Sequence, residues 1–186
     1  MNALVLIADG SEEIEAITVV DILRRAHVIV TIAAVDDAVN VTCSRGVNLV
    51  ADAILGDLVS PCKSFEAIIL PGGLKGAETF SHSTMVQKLL REFEEAGKLV
   101  CAMCASTIAL FSAHVGKGKR VTSYPSFKER LAGFYEYQED TVVVDGGLIT
   151  SRGPATAMEW ALAIVQALTN VETRETIAKQ LLFHRQ

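Results

Sequence analysis

The sequence predicts an α/β sandwich, with helices packed around a largely parallel sheet, and three observations carry that prediction. Half of the residues are apolar while only 6% are aromatic, so the interior must be mostly Ala, Val, Ile and Leu, the mixture suited to strands covered on both faces. Apolar runs bounded by turn residues alternate with segments of helical periodicity, the pattern of βα units. The length of 186 residues fits a single domain over 1–186, large enough to bury a core without disulfide or metal staples.

Each element follows from the local pattern. Ala3-Leu4-Val5-Leu6-Ile7-Ala8 is an unbroken apolar run and reads as a buried first strand, closed by the turn and cap Asp9-Gly10-Ser11. Glu12 to Ala26 has its apolar residues at helical spacing. His27 to Val35 reads as a second strand, and Val47 to Val50 as part of a hairpin or side strand. Ala67-Ile68-Ile69-Leu70 is a short buried strand that ends at Pro71-Gly72-Gly73. Val86 to Ala96 is helical, Leu99 to Met103 is the next strand, and Ser106 to His114 is its helix. A strand near Val121, strands at Thr141–Val144 and Leu148–Ser151, and helices at Ala155–Leu168 and Thr173–Leu182 complete the chain. There is no internal repeat, low-complexity tract or linker.

Composition excludes several classes. The net charge of −5 offers no basic footprint for nucleic acid or an anionic membrane. Mean hydropathy is high at +0.33, and Leu99 to Gly116 carries no formal charge. That stretch contains Ser106, Thr107, Ser112 and His114, has no flanking aromatic belt, and falls short of the ~20 apolar residues of a membrane span. It reads as a buried strand running into a buried helix. The first basic residue is Arg24, so no positive region precedes the first apolar run. The expected location is the cytoplasm, or an organelle if a targeting peptide precedes the chain. The four cysteines, at 43, 62, 101 and 104, follow no framework spacing and are expected as free thiols.

Ligands of open α/β sheets bind outside the carboxyl ends of the strands. Three such ends carry unusual residues: Asp9 to Glu15, Pro71-Gly72-Gly73, and Met103-Cys104-Ala105-Ser106. Cys104 falls where a strand breaks directly into a helix, flanked two residues away by Ala102 and Ser106, which leaves room for the sharp turn of a nucleophile elbow. A thiol there faces the first N–H groups of the helix, which favours thiolate. Its alternative is a packed core cysteine. Glu15 shares a helix face with Val19, Ile22 and Ala26. Burial there raises its pKa, so that it stays protonated and donates to a nearby thiolate. Glu12 and Glu13 are explained as acids favouring a helix N-terminus.

Pro71-Gly72-Gly73 lets backbone N–H groups approach a ligand without a Cβ in the way. Gly72, Gly73 and Ala105 are the candidate backbone donors, with the N–H groups of Gly73 and Ala105 available as an oxyanion hole. Cys101-Ala102-Met103-Cys104 is formally C-x-x-C, yet Cys101 lies inside a strand with its side chain directed away from the turn, against a redox dithiol. Zinc needs ~4 ligands, and His27, His82, His114 and His184 have no ligand spacing, so no metal is expected.

Taken together, Ser11-Glu12-Glu13-Ile14-Glu15-Ala16, Val20 to Ala26, Thr42-Cys43-Ser44-Arg45-Gly46, Leu70 to Glu78, the Cys104 elbow and Thr150-Ser151-Arg152-Gly153-Pro154 resemble the DJ-1/ThiJ/PfpI superfamily. The match runs essentially end to end, nearer the DJ-1/YajL branch than the intracellular-protease branch. The resemblance implies a flavodoxin-like three-layer α/β/α sandwich, a homodimer, no cofactor, Cys104 as a reactive and easily oxidised cysteine, and Glu15 as its protonated partner. It implies a glutathione-independent glyoxalase converting methylglyoxal or glyoxal to lactate or glycolate, with protein deglycase activity also claimed for relatives. The alternative it carries is a non-enzymatic oxidative-stress sensor or redox-regulated chaperone. Arg25 and Arg45 match arginines near the dimer interface and an oxyanion-binding pocket, and Arg152 belongs to the same pocket-or-interface set.

Two departures stand out. Relatives carry His where this chain has Tyr124, and a phenol of pKa ~10 is no general base near neutrality; Tyr124 is expected to orient substrate by hydrogen bonding. Ala105 follows Cys104 where the protease branch has His, which leaves no Cys–His pair for peptide hydrolysis. A small pocket bounded by Gly and Ala is expected, suited to a three-carbon 2-oxoaldehyde.

Overall fold

A computed structural model describes residues 1–183. The elements in chain order are β1 (Asn2–Ile7), α1 (Glu13–Arg25), β2 (Ile29–Ala34), β3 (Asn40–Thr42), β4 (Asn48–Val50), β5 (Ala53–Ile54), α2 (Pro61–Ser64), β6 (Ala67–Leu70), α3 (Leu74–His82), α4 (Thr84–Glu95), β7 (Leu99–Met103), α5 (Thr107–Ala113), β8 (Arg120–Val121), α6 (Lys128–Leu131), β9 (Glu136–Tyr137), β10 (Val142–Asp145), β11 (Leu148–Ser151), α7 (Ala157–Leu168) and α8 (Val171–Gln180).

The central sheet is seven-stranded, in the order β10-β11-β7-β6-β1-β2-β5. Every pairing is parallel except β10 with β11. Alternation along β1 divides the core. Ala3, Val5 and Ile7 face a cluster containing Val19, Ile22, Trp160 and Ile164 of α1 and α7. Leu4, Leu6 and Ala8 face the opposite cluster, with Phe80, Leu90, Phe93 and Leu110 of α3, α4 and α5. A period of two across a sheet covered on both sides is the three-layer α/β/α arrangement expected from the sequence. Among the described residues no helix is long and apolar enough to cross a membrane, and the uncharged stretch after Leu99 is β7 followed by α5.

The differences from the sequence reading are local. The expected hairpin strand at Val47 to Val50 is β4, Asn48–Val50, paired antiparallel with β3. Strand β2 is shorter than expected because His27 adopts φ +57° in a turn. Helix α4 starts at Thr84, where the Ser83 hydroxyl accepts from the Val86 N–H. Helix α3 was not anticipated: it follows Gly73 and contains Gly76, a combination that reads as loop by propensity. Packing selects it, since a Cβ on Gly76 would come within 2.8 Å of the Ser11 hydroxyl. His184 lies outside the described residues.

Sheet order places β1, β6 and β7 side by side, with β2 on the other flank of β1. The winding direction reverses beside β1, and a crevice opens at such a switch point. The carboxyl ends of β1, β6 and β7 are the three segments singled out above.

Candidate active site

Cys104 sits at the break between β7 and the turn leading to α5. Its φ is +57°, a left-handed conformation that non-glycine residues adopt at a cost and that is characteristic of strained functional turns. Its side chain is 8% exposed, and its carbonyl accepts from the Tyr124 N–H at 3.2 Å.

Glu15 approaches from the first turn of α1 and is fully buried, at 0% exposure. Its Oε2 accepts from the Gly72 N–H at 2.6 Å, while its Oε1 has no hydrogen-bond partner. Burial raises its pKa to about 7; the Gly72 N–H opposes the rise, the Glu12 charge adds to it, and the neighbouring Cys104 thiol lowers it slightly. A carboxyl poised near neutrality is a general acid and base at once.

Gly72 lies between the two. A Cβ there would stand 2.5 Å from the Cys104 Cβ, 2.6 Å from Glu15 Oε2 and 3.1 Å from the sulfur, so only glycine lets sulfur and carboxyl share this space. The Gly72 carbonyl accepts from the Glu12 N–H at 2.8 Å. The turn after β6 is thus bonded on both sides of this residue to the start of α1. Gly73 has φ +90°, and a Cβ on it would collide with the backbone of Gly10, Ser11 and Glu12.

The backbone N–H groups of Gly73 and Ala105 lie near enough to the sulfur to favour thiolate. Gly72 is different: its N–H is already engaged by Glu15, so it positions the acid instead of joining an oxyanion hole. The expectation of a readily formed thiolate also needs correcting. Burial first, and then the Glu15 charge, push the Cys104 thiol up to about 12, against the pull of the two N–H groups. One negative charge in this dry space opposes a second, so the pair holds at most one near neutrality, and Glu15 takes it. Cys101 is buried in β7, and burial alone pushes its thiol up; all four cysteines are free.

A cavity of about 810 Å³ opens above the sulfur, with Gly73, Cys104 and Ala105 at its floor and Arg45, Leu74, Tyr124 and Phe127 among its walls. It is larger than a three-carbon substrate requires: Gly and Ala bound only the floor, and the walls are built from larger side chains of α3 and of the loops around Arg45 and Tyr124. Tyr124 is on the wall and 47% exposed. Arg45 reaches the cavity. Arg25 does not: it ends α1 at the far side and pairs with Asp21 at 2.6 Å. The Arg152 guanidinium is turned to the Glu139 carbonyl at 2.7 Å, beside the cavity and not within its lining.

Glu13 has a role that the helix-terminus explanation missed. Its carboxylate accepts from the Ser44 hydroxyl at 2.8 Å and the Arg45 N–H at 2.9 Å. Those bonds, with its own N–H and that of Val47, outweigh burial and hold its pKa below the ordinary value. Glu13 thereby docks the loop carrying Arg45 onto the cavity rim. Its partners lie 31 and 32 residues away, so nothing in the local sequence signals the contact.

A model of the DJ-1/PfpI family matches residues 1–167. The chain is 44% identical over 182 residues to protein dj-1beta of Drosophila melanogaster, covering 97% of this chain and 96% of that protein. The crystal structure of Drosophila melanogaster DJ-1beta superposes with a TM-score of 0.94 at 43% identity, covering 99% of this chain and 98% of that one. A Caenorhabditis elegans protein named glutathione-independent glyoxalase DJR-1.2 is 35% identical over 182 residues, covering 97% of this chain and 95% of that protein.

Proposed function

This chain belongs to the DJ-1/PfpI family, and from that premise we propose that it is a glutathione-independent glyoxalase acting on methylglyoxal or glyoxal. The observation that carries the reading is a fully buried carboxyl, titrating near neutrality, held against a cysteine in a strained turn, with two backbone N–H groups near the sulfur.

The chemistry follows from those positions. Glu15, as carboxylate, takes the Cys104 proton while sulfur adds to the aldehyde carbon; the carbonyl π pair moves to oxygen, which the Gly73 and Ala105 N–H groups stabilise. Protonation of that oxygen by Glu15 gives a hemithioacetal and regenerates the carboxylate. Glu15 next removes the C1 proton to form an enediolate and delivers it to C2, while the C1 hydroxyl proton passes to the C2 oxygen. The product is a thioester of the 2-hydroxy acid, which water cleaves to lactate or glycolate and free thiol. No external oxidant or cofactor enters this sequence. Tyr124, on the cavity wall, hydrogen-bonds the substrate. The generous cavity also suits aldehyde adducts on amines or thiols, the substrates of a deglycase.

Lactate production from methylglyoxal tests the reading, with free aldehyde followed separately from protein adducts. Cys104→Ser and Cys104→Ala are expected to abolish it, and Glu15→Gln to permit adduct formation while blocking isomerisation. Full activity in Cys104→Ser refutes the mechanism.

One feature favours a second reading, an oxidative-stress sensor or redox-regulated chaperone. Two N–H donors and a carboxyl around one sulfur can also hold the oxygens of a sulfinate formed with peroxide. Slow turnover together with a stoichiometric gain of two oxygen atoms at Cys104 favours that reading. The expected assembly is a homodimer, for which Ile14 and Ile17 on α1 provide exposed apolar contacts, and the expected location is the cytoplasm.

A further inference from the structure

We infer that Ser106 is a positioning residue for Glu15, acting through the Pro71–Gly72 peptide group. The Ser106 hydroxyl donates to the Pro71 carbonyl at 2.5 Å in a buried contact. The Gly72 N–H donates to Glu15 Oε2 at 2.6 Å. That carbonyl and that N–H are the two ends of one planar amide. A donor on the oxygen end withdraws density from the amide and makes its N–H a stronger donor, an effect that grows where water is excluded. Ser106 is fully buried and is absent from the cavity lining, so it acts on Glu15 without touching substrate.

The same bond ties the elbow to the acid mechanically. Ser106 lies two residues beyond Cys104 in the same turn, and the Pro71 carbonyl fixes the plane that presents the Gly72 N–H. The following peptide is fixed by the Glu12 N–H on the Gly72 carbonyl. Movement of the elbow therefore changes the hydrogen bond that Glu15 receives. The titratable groups facing Glu15 are Glu12 on its own helix and Cys104 across the gap; the turn after β6 contributes only an N–H. Removing the Ser106 hydroxyl weakens the backbone donor to the carboxylate and so moves Glu15 ionisation to higher pH.

The inference rests on Cys104 and Glu15 being the reactive pair, as proposed above, but its test needs no aldehyde turnover. The rate of Cys104 alkylation by iodoacetamide, which follows the fraction of Glu15 present as the carboxylate that takes the thiol proton, is measured from pH 5 to 9 by mass of the peptide that carries it. Ser106→Ala and Ser106→Gly should move the midpoint to higher pH and slow alkylation at pH 7 by roughly 2- to 10-fold, the factor that one hydrogen bond of ordinary net strength provides. Ser106→Thr, which keeps the hydroxyl, should restore the wild-type midpoint. Thr107→Val is the structural control, because the Thr107 hydroxyl bonds the Thr122 carbonyl at 3.3 Å and not the glycine turn. It should leave the midpoint in place.

An unmoved midpoint in either folded deletion variant overturns the inference. So does an equal displacement in Thr107→Val. If neither deletion variant is recovered folded, the hydroxyl is a structural staple and the inference fails. Loss of glyoxalase activity in every protein, wild type included, would instead refute the proposed reaction and leave this measurement decisive on Ser106.

Discussion

Replacing Glu15 by Gln should change how stability depends on pH, by an amount that follows from the site. The folded protein raises the Glu15 pKa from 4.5 to about 7. Between those values the folded state binds a proton that the unfolded state has released, so wild-type stability falls as pH rises. The slope is about 1.4 kcal/mol per pH unit, and over about 2.5 units the loss is ~3 kcal/mol. Above pH ~8 both states are ionised at this position and the term is flat. Glutamine keeps an oxygen for the Gly72 N–H and never ionises. Its amide NH2, in the place of an oxygen that has no partner, carries a desolvation cost that is the same at every pH.

The diagnostic quantity is therefore the variant-minus-wild-type difference, followed from pH 4.5 to 8.5 by urea or thermal unfolding. Other titrations cancel in it. It should grow in favour of Glu15→Gln by ~3 kcal/mol, equivalent to roughly 6–12 °C in Tm for a chain of this size. It should level off above pH 8. A difference that stays constant across the range would mean that Glu15 ionises as an exposed carboxylate does, and the reasoning about a dry acid beside the thiol would be wrong.

Gly72→Ala should cost ~1–3 kcal/mol from overpacking and reduce turnover at least ~100-fold, since the new methyl separates reacting groups that need near-attack geometry; wild-type activity together with an unchanged Tm contradicts the close approach at Gly72. Tyr124→Phe should raise KM for methylglyoxal by roughly 2- to 10-fold, the worth of one hydrogen bond, with kcat little changed. Steady-state kinetics decide this, and an unchanged KM removes Tyr124 from substrate orientation.

Much of the fold was legible in the primary structure because its signals are local. The run Ala3–Ala8, the glycines after Leu70 and the break after Met103 mark the strands and their ends without reference to anything distant. Helix α3 was not legible, because Gly73 and Gly76 argue against a helix by propensity and only the contact of Gly76 with Ser11 makes it fit. The site was partly legible for the same reason. Cys104 and Glu15 each stand out from their own segment, one at a strand break and one as a carboxylate on an apolar face.

What the sequence by itself determined is the layered αβ character, the strand ends that carry chemistry, and the identity of the nucleophile and acid candidates, since periodicity and residue type depend on near neighbours. Only the tertiary structure decided which donor serves which acceptor. It gives the Gly72 N–H to Glu15 and leaves those of Gly73 and Ala105 near the sulfur, where they favour thiolate. It sends Arg25 away from the cavity and uses Glu13 to dock the loop carrying Arg45. It also reverses the expected direction for the thiol. A helix N-terminus favours thiolate, but desolvation and a neighbouring carboxylate depend on what the fold packs around the sulfur, and here they outweigh two N–H groups.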